Sequence, residues 1–261
     1  MRKRITSSKN DVMKHLRLLL QGRNKEGHFL LEGPVIIKES LTTHPPHEVV
    51  VSENREGDYE EILSAVQGRG GRVIVLDDRL FESLSKAQSP QGILGIYRRF
   101  VESASEGRGL RLFLDGVQDP GNLGTIFRSA AAFGVREILL GEGCCDVYNP
   151  KVLRASASCI LRIPFRQKVE PSWLWKKREE GTHIIALEAH GGRPLEEIDL
   201  LEDAILIVGN EAHGLSEETK NLVDTPATIP LEREVESLNA AVATSIALYA
   251  LFQRGQKGKG L

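Results

Sequence analysis

The chain has 261 residues, 41% of them hydrophobic and 27% charged, with a formal net charge of −2. That is the usage of one or two ordinary globular domains; it excludes a low-complexity chain and a uniformly basic nucleic-acid binder. Aromatics at 5% argue against a surface built of base-stacking rings, and Cys144, Cys145 and Cys159, with no CxxC spacing, give neither a disulfide framework nor a zinc site.

The N-terminal stretch carries Arg2, Lys3, Arg4, Lys9, Lys14, Arg17, Arg23 and Lys25 against Asp11 alone. Such a block either neutralises phosphates or merely solubilises a helix face. In the first reading Arg2, Lys3, Arg4 and Lys9 are the RNA contacts. No sustained apolar run follows, so no secretory signal is expected, and the cysteine usage fits the cytoplasm. Residues 11–20 read as a helix, 29–39 as a strand turning into a helix, and 48–51, 72–76 and 93–97 as strands. They make a small α/β domain over 1–100. The small, polar, glycine-containing stretch 101–109 (VESASEGRG) reads as a linker.

From 110 to 261 the pattern is regular. Apolar runs of strand length at 110–114, 137–140, 183–187, 204–208 and 227–229 alternate with helical stretches near 123–133, 150–159, 171–180, 216–223 and 237–253. This alternation predicts a parallel sheet covered on both faces, with ligands bound beyond the carboxyl ends of the strands. The apolar stretch 238–252 is shorter than the roughly 20 residues a membrane span needs and reads as a buried helix.

Three loops after these strands hold the unusual residues. In the first, DGVQDPGNLG at 115–124, Pro120 and Gly121 turn the chain, Asn122 is suited to cap the next helix, and Arg128 follows on that helix. It reads as an anion-accepting helix N-terminus or as a plain capped helix with a surface arginine. The second, GNEAHGLS at 209–216, nearly matches a phosphate loop, but Leu215 stands where the lysine would be and Glu211 would repel phosphates. A glycine-bounded loop with a carboxylate suits a neutral or cationic ligand instead. His213 within it faces substrate or solvent, and His44 and His47 (HPPH) match no metal site. In the third, IPLEREVESLN at 229–239, Ser237 is a plausible N-cap for an alanine-rich helix and Asn239 offers both donor and acceptor.

Taken together, in this order and spacing, the three segments resemble the signature motifs of the SpoU/TrmH family of SPOUT methyltransferases: Asn…Gly…Arg, Gly-x-Glu-x-x-Gly, and Ile-Pro…Ser-Leu-Asn, over roughly 110–254. ITSSKN near the N-terminus, FLLEG at 29–33 and SPQGI at 89–93 are similar, more loosely, to the substrate-binding domain of the family's ribosomal-RNA branch. The resemblance implies an S-adenosylmethionine-dependent enzyme methylating a ribose 2′-hydroxyl, in large-subunit ribosomal RNA ahead of transfer RNA. A catalytically silent RNA-binding relative is the competing reading. It also implies a deep trefoil knot in the C-terminal α/β domain and a homodimer; the cysteine spacing and the short apolar stretch, read above, lead to the expectation of neither metal nor membrane. By the same resemblance Asn122, Arg128, Glu211, Ser237 and Asn239 surround the ribose and methyl group. Leu187, Gly209, Glu211, Gly214, Ile229, Leu231 and Leu238 would hold the donor. Arg128 would activate the hydroxyl, as a base or by stabilising the alkoxide. Arg233 stands where the third motif usually has glycine, which implies altered donor binding or a different loop path.

Overall fold

The structure is a computed structural model that describes residues 2–23, 27–84, 90–100, 105–198, 202–232 and 235–257. Lys25, Ser89, residues 101–104 of the expected linker, and Arg233 lie outside the described residues. The chain divides into two compact units. One is Met1–Val101 together with Tyr148–Arg154; the other is Glu102–Val147 with Ala155–Leu261.

The first unit holds β1 (Arg2–Ile5), α1 (Asp11–Leu20), β2 (His28–Glu32), α2 (Pro34–Ser40), β3 (Glu48–Ser52), α3 (Glu60–Gly68), β4 (Arg72–Leu76), α4 (Asp78–Glu82) and β5 (Ile93–Arg98). Its five-stranded sheet runs β1-β4-β3-β5-β2, with β5 antiparallel to β3 and β2. The apolar runs of β3 and β4 are buried on both faces. Val50 and Ile74 join one core with Met13, Leu16 and Leu19 of α1; Val49, Val51, Val73 and Val75 join the other with Ile62, Leu63 and Val66 of α3. Asn10 caps α1 by accepting from the Val12 N–H at 3.0 Å.

The basic block begins as a strand. β1 pairs in parallel with β4, Ile5 opposite Leu76, and Ile5 is its one buried anchor. Arg2 meets Glu56 at 2.8 Å and Glu60 at 2.6 Å, while Arg4 pairs with Glu53 and with Glu56 at 2.9 Å. Glu60 and then Glu56 hold the Arg2 guanidinium even more firmly charged than usual. These two arginines thus have carboxylate partners inside the unit, while Lys3 and Lys9 are exposed.

The second unit contains β6 (Leu110–Leu114), α5 (Pro120–Ala132), β7 (Glu137–Leu140), β8 (Phe165–Arg166), α7 (Pro171–Glu179), β9 (His183–Leu187), β10 (Arg193–Pro194), β11 (Ala204–Val208), α8 (Glu217–Lys220), β12 (Thr225–Thr228) and α9 (Ala240–Lys257); α6 (Pro150–Ala155) falls mostly in the first unit. Its seven-stranded sheet, β10-β12-β9-β11-β6-β7-β8, is parallel throughout. β11 lies between β6 and β9, and β12 between β9 and β10, so both late strands enter between strands that precede them in sequence. The helix expected over 150–159 stops at Ala155, because Ala157 (φ 45°) and Ser158 (φ 70°) take left-handed backbone. The last strand ends at Thr228, which leaves Ile229 in the following loop. Among the described residues no helix is long and apolar enough to cross a membrane.

Candidate active site

The three loops leave the carboxyl ends of β6, β11 and β12, strands that lie close together in the parallel sheet, so the chain delivers them to one place. The first loop is tied to the second. Asp115 Oδ2 accepts from the Ser216 N–H at 2.8 Å, and Asn210 Nδ2 donates to the Gly116 carbonyl at 2.7 Å.

The cap of α5 is Asp119, whose Oδ1 accepts from the Asn122 N–H at 2.8 Å, with Pro120 at the first helical position. Asn122 is thus inside the helix, a correction to its reading as the cap. The difference matters chemically, because the Asn122 amide is released for other work. Its Nδ2 donates to Glu211 Oε1 at 2.8 Å, and its Oδ1 accepts from Asn239 Nδ2 at 2.9 Å. A carboxylate only accepts, so Glu211 fixes which way the Asn122 amide faces, and Asn122 in turn fixes Asn239.

Asn239 is also the cap of α9. Its Oδ1 accepts from the N–H groups of Ala241 at 3.0 Å and Val242 at 3.3 Å. Ser237, expected in that role, lies before the helix and is exposed. The Ser129 and Ser245 hydroxyls meet at 2.6 Å between α5 and α9.

The second loop is a closed hairpin. Asn210 and Gly214 exchange two backbone hydrogen bonds of 2.9 Å, and Asn210 Oδ1 gathers the Ala212 and His213 N–H groups. Gly209 packs so tightly that a Cβ would lie 2.4 Å from the Gly214 carbonyl carbon. His213 is exposed.

These loops wall a cavity of about 280 Å³. All seven residues expected to hold the donor line it: Leu187, Gly209, Glu211, Gly214, Ile229, Leu231 and Leu238. So does Ser237. Bare backbone at Gly209, apolar side chains around it, and the carboxylates of Glu188 and Glu211 make a slot suited to a flat heterocycle joined to a cationic group. Arg128 is exposed on α5, is not among the lining residues, and makes no ion pair among the described residues.

The family model described as SpoU rRNA Methylase family matches residues 109–249, and an MRM3-like substrate binding domain model matches 10–95. This chain belongs to the SpoU rRNA methylase family. It is 33% identical over 251 residues to the 23S rRNA (guanosine(2553)-2′-O)-methyltransferase RlmP of Bacillus subtilis, covering 95% of this chain and 99% of that one. Among solved structures it resembles an AdoMet-bound rRNA methyltransferase from Sinorhizobium meliloti (TM-score 0.87, 26% identity, 97% and 98% of the two chains). It also resembles the SpoU methyltransferase AviRb from Streptomyces viridochromogenes with AdoMet (TM-score 0.82, 26% identity, 96% and 100%). The α/β SpoU fold and the separate substrate-binding domain expected from the motifs are borne out.

Sequence reasoning missed Glu188, Asn210 and Ala243 of the SpoU cavity. Glu188 had a signal, since it follows β9 directly as Gly209 follows β11. Asn210, the unspecified position in Gly-x-Glu, had none. Near the first loop, burial pushes the Cys144 thiol up to about 11, which disfavours the thiolate, and the thiol donates to the Leu114 carbonyl at 3.2 Å. Among the described residues no cluster of three or more histidines, cysteines or carboxylates could hold a metal.

Proposed function

We propose that this SpoU protein methylates a ribose 2′-hydroxyl in large-subunit ribosomal RNA, taking the methyl group from S-adenosylmethionine, and that it works as a cytoplasmic homodimer. The observation that carries this is the Asn239–Asn122–Glu211 hydrogen-bonded chain beside a cavity lined by the whole expected donor set. The target follows that of the Bacillus relative, which matches along nearly the whole chain, and AdoMet is bound in two similar structures.

When bound, the donor supplies an electrophilic methyl group on a positively charged sulfur. Leu187, Gly209, Ile229, Leu231 and Leu238 would hold its adenosine, with Gly209 presenting backbone where a side chain would fill the slot. Glu211 and Glu188 offset the positive charge. Glu211 is kept from turning away by Asn122, and Asn122 by Asn239, so the acceptor ribose meets polar groups already oriented. Gly214 closes the loop, and Ser237 offers a hydroxyl at the rim. A guanidinium is a poor general base, which favours an electrostatic role for Arg128. Exposed and without an ion pair among the described residues, Arg128 would bind the RNA phosphate and stabilise the alkoxide as the hydroxyl proton passes to water.

The dimer reading rests on α9, where Val242 (47% exposed), Ile246 (40%) and Tyr249 (52%) recur at helical spacing as an apolar stripe. A second copy of the chain would cover it. The knot reading is supported by the late strands, each entering between earlier ones.

The test is transfer from labelled donor to 23S ribosomal RNA, with ribose methylation mapped in cells with and without the gene. Arg128→Ala should abolish transfer and leave donor affinity within a few-fold. An effect mainly on donor affinity would overturn the role given to Arg128, and an unchanged methylation map would overturn the target.

A further inference from the structure

The first unit contains a cavity of its own, about 580 Å³, formed by residues 43–47 after α2, 69–71 between α3 and β4, and 97–100 at the end of β5. Three arginines, Arg69, Arg98 and Arg99, converge on it, and no carboxylate is among its lining residues. By contrast, Arg2, Arg4, Arg55 and Arg72 of the same unit each face a carboxylate. Arg98 is exposed and forms no ion pair among the described residues. Arg69, capping α3, bonds the Ala65 carbonyl at 3.1 Å and is otherwise open to solvent. The Arg99 guanidinium carbon stands 4.5 Å from the centre of the Tyr148 ring. Beside them Phe100 and His44 meet edge to face at 4.4 Å, and burial lowers the His44 pKa, which keeps that imidazole uncharged near neutral pH.

The Arg69 and Arg98 guanidiniums, which form no ion pair among the described residues, next to two aromatic rings match the two halves of a nucleotide: an anionic phosphodiester and a base with a π-face. Ribosomal RNA is read at unstacked nucleotides by such pairs of groups. We propose that this cleft is a nucleotide-binding site of the substrate unit, with Arg69 and Arg98 on the phosphodiester and the base against Phe100 and His44. The inference rests on RNA being the substrate, and it assigns the grip to a different place from the β1 arginines.

The test uses the full-length protein with a 23S ribosomal RNA transcript. Binding is followed by fluorescence anisotropy across a salt series, alongside KM, kcat and donor affinity. Arg69→Gln with Arg98→Gln should raise the RNA Kd and KM about tenfold and flatten the log–log salt slope by about 1, with kcat and donor affinity unchanged. Phe100→Leu should weaken RNA binding without changing the slope, because it removes stacking and no charge. The control pair Arg2→Gln with Arg4→Gln should leave the slope as in wild type. An unchanged slope in a folded Arg69/Arg98 variant would overturn the proposal. So would an equal loss in the control pair, or competition by polyglutamate as effective as RNA, which would mark an acidic protein surface as the ligand. Should wild-type protein bind the transcript and never methylate it, the proposed function fails while the cleft, read by binding alone, stands or falls separately.

Discussion

Substituting Gly209 by alanine tests the donor cavity at its tightest point. The added Cβ would sit 2.4 Å from the Gly214 carbonyl carbon, 2.6 Å from its oxygen and 2.8 Å from the Leu215 nitrogen, against an ordinary limit near 3.4 Å. All three atoms are backbone, so no side chain can swing aside; the hairpin must open by about 1 Å, the difference between 3.4 and 2.4 Å. Opening stretches the two 2.9 Å bonds between Asn210 and Gly214. At about 0.5–1.5 kcal/mol each, these give roughly 1–3 kcal/mol, the usual cost of overpacking. Expressed in donor binding, a middle value of about 2 kcal/mol is roughly a 30-fold weaker Kd. Gly214→Ala is the matched comparison: nothing lies within 4 Å of its Cβ, but its φ of +68° is left-handed. The strain there is about 1–2 kcal/mol, so its effect should be the smaller. Titration calorimetry with S-adenosylmethionine, with circular dichroism to confirm folding, reads both. A Gly209→Ala Kd within threefold of wild type, or a larger loss in Gly214→Ala, would refute the reasoning.

Asn122→Asp places a second carboxylate at hydrogen-bond distance from Glu211, where the two cannot both ionise easily. Transfer should fall about tenfold or more near neutral pH and recover in part as pH drops, a recovery Asn122→Ala should lack. Burial, with His28 and Arg98 nearby, lowers the His47 pKa to about 4 from an ordinary 6.5. The unfolded chain therefore takes up a proton that the folded one resists, and stability drains away as pH falls from about 6.5 to about 4. His47→Phe should flatten the melting temperature over that window; the Ile96 carbonyl keeps the backbone N–H of residue 47. Arg2→Gln with Arg4→Gln should cost at most about 1 kcal/mol of stability for each ion pair removed, read in a urea titration, and leave KM for RNA unchanged.

The strands at 110–114, 137–140, 183–187 and 204–208 were legible to the residue because each is a short, mostly apolar run with a buried centre, ended by polar residues or glycine. β1 was not, since Arg-Lys-Arg-Ile carries one apolar anchor and otherwise looks like a basic tail. The acids that claim its arginines, Glu53, Glu56 and Glu60, come from around fifty residues away in sequence. The cap of α5 was misjudged because Asp119 and Asn122 both suit the role, and Pro120 at the first helical position decides it. Periodicity could not have given the donor cavity, which was legible only through the motif resemblance. Nor was the arginine cleft visible, since three turns distant in sequence build it.

The order in which the second sheet is laid down has a consequence for how the enzyme comes into being. β11 and β12 each occupy an interior slot, flanked by strands made earlier. Until residues 204–228 leave the ribosome, β6 and β9 have no neighbour between them, and a nascent chain must keep that gap open. Pairings of this long range form slowly. Most of the cavity wall comes from β11 and the segments that follow it, so a chain stopped before β11 would lack most of the site. S-adenosylmethionine would then act as a latch on the completed fold. At a hundred times its Kd it would add about 2.7 kcal/mol against escape of the last strands, and the donor supply would bear on how much mature enzyme a cell accumulates as well as on how fast it turns over.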